Sequence, residues 1–240
     1  MDRIASLGAR LVDLLLPPLC LHCGAALSGA RPGFCPGCLA TLAPLSPVAC
    51  RRCGLPRPGS PDSCGRCGGW PEGLSAVAGT RYRGVARTLV AGLKYSGWRH
   101  LAEPCAVTMA DALTGPARIE LLVPVPLHPA RRRERGFNQS RAIADALGRR
   151  LDLPVEDALV RERPTTSQVG LGRAARRANV AGAFLPAPPA RRAAGAVVGL
   201  VDDVATSGAT LAAAAEPLLE SGARAVVGAT FALAFEFAYR

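Results

Sequence analysis

The sequence predicts an α/β fold, a parallel β-sheet flanked by helices, preceded by a small cysteine-rich domain. The first 73 residues hold eight of the nine cysteines together with many glycines and prolines. The rest of the chain alternates apolar, strand-like runs with helical segments rich in Ala, Leu and Arg, a pattern typical of parallel sheets. Because 240 residues can bury one core and a small accessory domain, we predict domains 1–73 and 74–240.

The N-terminal residues predict an amphipathic helix that Pro17 ends. Apolar side chains recur there at helical spacing, at Ile4, Leu7, Leu11, Leu14 and Leu15. A signal peptide is disfavoured, since Asp13 interrupts the apolar run and no small-residue cleavage site follows. No stretch reaches the roughly 20 apolar residues of a membrane span. We therefore expect a cytoplasmic protein with no membrane span.

Four pairs of cysteines, each separated by two residues, follow this helix. They are Cys20 and Cys23, Cys35 and Cys38, Cys50 and Cys53, and Cys64 and Cys67. Cytosolic thiols stay reduced, and a two-residue spacer lets both thiolates of one turn reach the same Zn²⁺. The pairs therefore predict two structural zinc ribbons of four cysteines each. Sequential pairing is the simplest arrangement, although the spacing also allows interleaved pairing, and a redox role for one pair is the minor alternative.

The second domain is predicted to contain five strands and four helices. The strands are expected at 76–82, 120–126, around Leu159, at 196–201 and at 225–235, and the helices at 84–95, 101–113, 138–151 and 210–221. The ninth cysteine, Cys105, falls in the second of these helices and is expected in the core. Ligands of parallel α/β sheets bind at the carboxyl ends of the strands, so we expect a ligand site there.

Two adjacent aspartates, Asp202 and Asp203, follow the apolar run "AVVGLV" and precede the small-residue turn "ATSGAT". The turn opens a helix, so its backbone amides and three hydroxyls suit a phosphate group. Two carboxylates beside it would repel a bare phosphate, and they are better suited to sugar hydroxyls or a hydrated Mg²⁺. A helix-capping role needs only one such residue. The pattern therefore indicates a ribose 5-phosphate as ligand.

The stretch "VVGLVDDVATSGAT" resembles the phosphoribosyl pyrophosphate (PRPP) binding motif of type I phosphoribosyltransferases. Together with "VPVPLHPARRRERGFNQS", "LKY" and the paired cysteines, it resembles the competence protein ComF family over essentially the whole chain. The resemblance implies a type I phosphoribosyltransferase-like sheet and Mg²⁺ bound with PRPP. It also implies a role in uptake of single-stranded DNA during natural transformation, with DNA-uptake or helicase machinery as partners.

The resemblance further implies which residues contact PRPP. Asp202 and Asp203, the candidate catalytic residues, would contact the ribose hydroxyls and a metal-linked water. The 5-phosphate would lie on Ala205, Thr206, Ser207, Gly208, Ala209 and Thr210. The candidates for orienting the pyrophosphate are Arg135, Asn138 and Gln139, and Lys94 of the motif "LKY" is a further candidate PRPP-binding residue. Residues 161–183, which include Arg173, Arg176 and Arg177, would form a mobile loop that closes over the ligand.

The charge distribution leaves two functions open. Residues 131–192 carry 14 arginines against 6 acidic residues, which indicates either an anionic partner or a solvated basic surface. The first function is phosphoribosyl transfer to an unknown acceptor that the zinc ribbons hold. The second is non-catalytic, zinc-dependent binding of single-stranded DNA. Aromatic residues make up only 5% of the chain, so few side chains can stack on bases. The candidates are Trp70, Tyr82, Tyr95, Trp98 and Phe137.

Overall fold

A computed structural model describes residues 17–28, 33–45, 49–56, 64–114, 118–163 and 173–235. The predicted N-terminal helix lies outside the described residues. Helices and strands follow in the order α1 (Pro36–Ala40), β1 (Leu74–Arg81), α2 (Gly84–Tyr95), α3 (Ala102–Ala112), β2 (Leu121–Pro124), α4 (Pro129–Arg135), α5 (Gln139–Leu151), β3 (Leu159–Arg161), α6 (Arg173–Val180), β4 (Phe184–Pro186), β5 (Val197–Ala205), α7 (Ala209–Glu220) and β6 (Ala225–Leu233). Short 3₁₀ turns lie at Arg99–Leu101 and Pro188–Ala193.

Four of the strands form one parallel sheet in the order β1-β6-β5-β2. The strands are almost wholly apolar because both faces of the sheet are covered. In β2, for example, Leu122 packs with α3 and α5 on one face while Val123 packs with α7 on the other. The predicted α/β fold, a parallel sheet flanked by helices and preceded by paired-cysteine ribbons, is confirmed.

The strand predicted around Leu159 does not belong to this sheet. It is β3, which pairs antiparallel with β4 in a separate two-stranded sheet. The segment expected as a loop also contains regular structure, since α6 spans Arg173–Val180. The sequence of α6 is dominated by arginine and alanine, so it has too few apolar positions to show a helical pattern. Residues 164–172 of the same segment lie outside the described part of the chain.

Both cysteine-rich segments pack against β1, the edge strand of the sheet. The Arg52 carbonyl accepts a hydrogen bond from the Ala76 amide at 2.8 Å, and the Ala43 carbonyl accepts one from the Thr80 hydroxyl at 2.7 Å. These contacts cover a sheet edge that would otherwise expose unpaired backbone groups. The domain boundary after residue 73 stays a prediction. Among the described residues, no helix combines the length and apolarity needed to cross a membrane.

Candidate functional site

The eight paired cysteines form two groups of four in sequential pairing. Within each group the sulfur atoms all lie within 4.8 Å of one another, which fits four ligands around one tetrahedral zinc ion. The first group is Cys20, Cys23, Cys35 and Cys38, and the second is Cys50, Cys53, Cys64 and Cys67. The structure therefore resolves the choice between sequential and interleaved pairing that the spacing left open.

The chemistry of the sulfur atoms also fits a cation. Burial and the neighbouring cysteines raise the pKa of Cys38 to about 12, so four thiolates at this separation require a positive charge between them. Backbone amides support the first site, since the Cys35 amide donates to the Cys20 sulfur at 3.4 Å. Both groups are zinc-binding sites of the closed, structural kind, with protein ligands at all four positions.

Asp202 and Asp203 lie within β5 rather than beyond its end. On one side β5 pairs with β6 as far as Ala205, whereas on the other side β2 pairs with it only as far as Val201. The two aspartates therefore occupy the step where one neighbouring strand has stopped and the other continues. The sequence placed the end of the strand too early, because two adjacent carboxylates are unusual inside a buried parallel strand.

Each aspartate has its own partner at this step. Asp202 Oδ1 accepts hydrogen bonds from the Ser140 hydroxyl and from the Asp203 backbone amide, both at 2.9 Å. Asp203 Oδ2 forms an ion pair with Lys94 Nζ at 2.5 Å. Ser140 is fully buried and Asp203 is only 3% exposed. The last turn of α2 and the first turn of α5 thus hold the two carboxylates from different directions.

Burial sets the protonation of these groups. Desolvation, and then the charge of Asp203, raise the pKa of Asp202 to about 7. Burial acts to lower the pKa of Lys94, but the charge and hydrogen bond of Asp203 outweigh it, so the pKa of Lys94 is raised. Lys94 is therefore charged at neutral pH, while Asp202 is near its midpoint and would ionise fully beside an added cation.

The turn Ala205–Thr210 connects β5 to α7. Gly208, the N-cap residue, has a left-handed φ of +77° and no side chain that could cap the helix, while the Ser207 hydroxyl accepts a hydrogen bond from the Ala209 amide at 3.4 Å. A Cβ atom at Gly208 would lie 2.2 Å from Cζ2 of Trp70, so only glycine fits here. Trp70 follows the last cysteine of the second zinc site by three residues, and its amide donates to the Cys67 carbonyl at 3.1 Å. The second ribbon therefore packs directly on this turn.

A cavity of about 700 Å³ brings the predicted polar residues together. We call it the aspartate cavity; it is lined by Asp202, Asp203, Lys94, Gln139, Thr206 and Thr210, among others. Ser207, Gly208 and Ala209 continue the same turn beside it. The volume is within the ordinary range of small-molecule sites.

Asn138 and Arg135 do not line this cavity, but they hydrogen-bond residues that form its wall. The Asn138 side chain caps α5 by accepting from the Ser140 amide at 3.0 Å, and it donates to the Val125 carbonyl at 3.0 Å. Arg135 Nη1 donates to Oε1 of Gln139, which is 4% exposed. Of the three residues taken from "RGFNQS", only Gln139 lines the aspartate cavity, and the other two hold it and the start of α5 in position.

Comparison with known proteins assigns the chain to a family. The sequence model of the double zinc ribbon domain matches residues 11–68, which contain all eight zinc ligands. The DNA utilization protein YhgH of Escherichia coli (strain K12) is 33% identical over 223 residues, which cover 89% of this chain and 96% of the relative. Competence protein F of Haemophilus influenzae is 32% identical over 200 residues, covering 80% of this chain and 86% of the relative. The chain belongs to the ComF family.

In this ComF-family chain, sequence patterns missed several residues of the aspartate cavity. Ser140, Arg161, Arg87 and Tyr82 also line it. Ser140 stands in the quoted motif "GFNQS", so its place in the first turn of the helix facing the aspartates could have identified it. Arg161 begins the segment 161–183 that was predicted to close over the ligand, and it lies in β3, which pairs with β4. Burial lowers the pKa of the Arg161 guanidinium, with Asp202 opposing that shift.

The aromatic candidates for base stacking divide by exposure. Trp70 and Phe137 are each 7% exposed and belong to the core, so they are not available to a nucleic acid. Trp98 is partly buried against Gly92 of α2. Tyr95 is 83% exposed and borders the aspartate cavity. The ComF-family chain thus offers one fully exposed aromatic ring among these five candidates.

Proposed function

We propose that this ComF-family protein binds Mg²⁺-PRPP in the aspartate cavity and serves DNA utilization, with phosphoribosyl transfer to a still unidentified acceptor as its activity. The names of its relatives, a DNA utilization protein and a competence protein, support the biological role. The observation that best supports this ligand is the step in the sheet at Asp202 and Asp203, where β2 has ended and β6 continues. There, two buried carboxylates adjoin the start of α7, whose N-cap residue, Gly208, has no side chain to occupy the helix end.

The start of α7 supports binding of the 5-phosphate. The helix has 12 residues, so its first amides present a substantial partial positive charge. Gly208 lets the backbone turn without a side chain between it and a ligand. The hydroxyls of Thr206 and Thr210 line the same cavity and can donate to phosphate oxygens.

The aspartates support the ribose and the metal. Asp202 Oδ1 already accepts two hydrogen bonds, whereas burial and then the charge of Asp203 raise the pKa of the carboxyl, and Lys94 opposes that shift only in part. A divalent cation or its bound water beside Asp202 would supply the missing positive charge, and oxygen ligands are the ones that Mg²⁺ prefers. When bound, Mg²⁺ would neutralise charge on the leaving pyrophosphate.

The protein's own side chains would then divide the chemistry. The carboxylates of Asp202 and Asp203 would stabilise positive charge developing on the sugar, and neither is needed to remove a proton. Arg87, Arg161 and Arg176 border the cavity and would attract the pyrophosphate. Acceptor binding would fall to the zinc ribbons. The second of them lies beside the turn Ala205–Thr210, which we call the phosphate turn, through the contact of Trp70 with Gly208.

Isothermal titration of the zinc-loaded protein with PRPP and Mg²⁺ tests this proposal. Asp203→Asn removes the partner of Lys94 and should weaken PRPP binding by about a hundredfold, the effect of losing a buried charged contact. Zinc content should stay at two ions per chain, since Asp203 is not among the eight zinc ligands. The matched control is Asp111→Asn, an exposed carboxylate at the end of α3, which should bind PRPP like the wild type. Equal affinity of the two variants would reject the site.

A second candidate function, binding of single-stranded DNA without catalysis, is favoured by one surface. Arg131, Arg132 and Arg133 are exposed on α4, and Tyr95 is exposed at the rim of the aspartate cavity. Such a surface should bind DNA with an affinity that falls steeply with salt and drops when the three arginines become glutamine. Titration of single-stranded DNA with and without PRPP separates the functions, because turnover, competition and independence are different outcomes. A flat salt response would reject binding through this surface.

A further inference from the structure

A second cavity lies on the other side of the phosphate turn, between the second zinc ribbon and the sheet. Its volume is about 760 Å³, and we call it the ribbon cavity. The ribbon contributes Leu55 and Arg66, and the phosphate turn contributes Thr206 and Ser207. The two cavities share Tyr82, Arg176 and Thr206, so they adjoin along the turn.

The charge of the ribbon cavity is strongly positive. Four guanidinium groups line it, from Arg66, Arg81, Arg83 and Arg176, and none of the described residues lining it is acidic. The aspartate cavity, by contrast, contains two carboxylates. A guanidinium group can bind two phosphate oxygens through parallel hydrogen bonds. Several guanidinium groups around one cavity therefore favour a phosphate-bearing ligand.

Aromatic rings border the same space. Tyr82 and Phe235 both line the ribbon cavity, and the guanidinium carbon of Arg81 lies 4.8 Å from the centroid of the Phe235 ring. Arg81 Nη2 also donates to the Phe235 carbonyl at 3.4 Å, so the ring and the guanidinium are held together. Rings and guanidinium planes next to phosphate-binding groups are the combination that recognises a nucleotide, with its base stacked and its phosphate paired.

We propose that the ribbon cavity is a nucleotide-binding site, which takes the base and the 5′-phosphate of one nucleotide. The nucleotide is either free or the terminal unit of a DNA strand, and the same chemistry recognises both. Nucleotide binding is independent of the proposed PRPP binding. The ribbon cavity adjoins the aspartate cavity at Thr206, so its nucleotide could be the acceptor of the sugar; that interpretation of the ribbon cavity rests on the proposed function.

Binding of thymidine 5′-monophosphate and of a short oligothymidylate, with and without a 5′-phosphate, tests the site in the zinc-loaded protein. Arg81→Gln with Arg83→Gln should weaken binding of the phosphorylated probes by about tenfold or more, because two charge-assisted contacts are lost. Arg149→Gln with Arg150→Gln removes the same charge from the exposed last turn of α5 and should change binding by less than about twofold. Single Arg83→Gln, at an exposed helix start, replaces the double variant if Arg81 is needed for folding.

The outcomes separate this site from PRPP binding. Loss of nucleotide binding with unchanged Mg²⁺-PRPP affinity supports two sites. If the wild-type protein does not bind PRPP, loss of nucleotide binding in the Arg81 and Arg83 variant, with normal binding in the Arg149 and Arg150 variant, still supports the ribbon cavity. Equal weakening by both arginine pairs, or loss of PRPP binding in Arg81→Gln with Arg83→Gln, overturns the second site. Absence of binding by every phosphorylated probe also overturns it. Binding of the monophosphate identifies a free nucleotide as a ligand, whereas binding of the phosphorylated strand alone identifies a DNA end.

Discussion

Asp202→Asn should stabilise the ligand-free protein, and the gain should grow as the pH rises. An aspartate in an unfolded chain has a pKa of about 3.9, whereas the buried Asp202 has a pKa of about 7. Between these values the folded chain binds more protons than the unfolded chain, so the free energy of unfolding falls as the pH rises. Asparagine removes the charge but keeps the Oδ1 atom that accepts from Ser140 and from the Asp203 amide.

The magnitude follows from the difference between the two pKa values. Each pKa unit corresponds to about 1.4 kcal/mol, so the ionisation penalty is about 2 kcal/mol at about pH 5.5 and about 4 kcal/mol at about pH 8. The pH-dependent part, about 2 kcal/mol, corresponds to a rise in Tm of about 4–8 °C for a chain of this size. Thermal unfolding of both proteins at the two pH values, with zinc present, measures it.

Asp203→Asn is the matched control because it should have the opposite sign. It removes the charge that compensates Lys94, whose side chain is only 23% exposed, so it should lower Tm at both pH values. Opposite effects at adjacent aspartates cannot arise from a general change in net charge. If Asp202→Asn changes Tm equally at both pH values, Asp202 is not the group with the raised pKa and the reasoning is refuted.

Three further predictions concern the zinc ribbons, the phosphate turn and the core. Cys67→Ser should release one zinc ion and weaken PRPP binding at least about tenfold, because Trp70 loses its support. Cys38→Ser should also release one zinc ion but weaken PRPP binding less; equal weakening by the two variants would show that the second ribbon does not support the turn. Gly208→Ala should lower stability by about 2 kcal/mol or more, read from denaturant unfolding, because φ is +77° and Trp70 blocks the Cβ; wild-type stability would contradict the contact. Cys105 should resist thiol reagents in the folded protein, since burial raises its pKa well above 9.0; rapid labelling would show that it is accessible.

The sequence predicted those features that depend on local spacing. The four cysteine pairs identified both zinc sites, and the apolar runs identified all four strands of the parallel sheet. Strand ends were predicted less well, since β5 continues through Asp202 and Asp203 to Ala205. Pairing with β6 supplies the hydrogen bonds that extend the strand, and that pairing is not visible in a single stretch of sequence.

The cavity residues that the sequence missed depend on contacts between distant parts of the chain. Ser140 and Asp202 are 62 residues apart, and they meet because α5 begins at the step beside β5. Arg161 was predicted only as the first residue of the segment 161–183 that closes over the ligand; its place in the small β3-β4 sheet was not predicted, because strands of three residues each are too short for a reliable pattern. Lys94, in contrast, was noted from the motif "LKY", and its ion pair with Asp203 gives that motif a physical reason.

The second zinc ribbon is best understood as part of the phosphate turn rather than as a separate accessory. Cys67 binds zinc, its carbonyl accepts from the Trp70 amide, and the Trp70 ring fills the space that a side chain at residue 208 would need. Arg52, between two zinc ligands, donates to the carbonyls of Trp70 and Pro71 at 2.8 Å and so fixes the chain between the ribbon and β1. Metal binding therefore orders the residues that support the turn, and we expect a chain without its second zinc ion to retain the sheet but lose the shape of this turn.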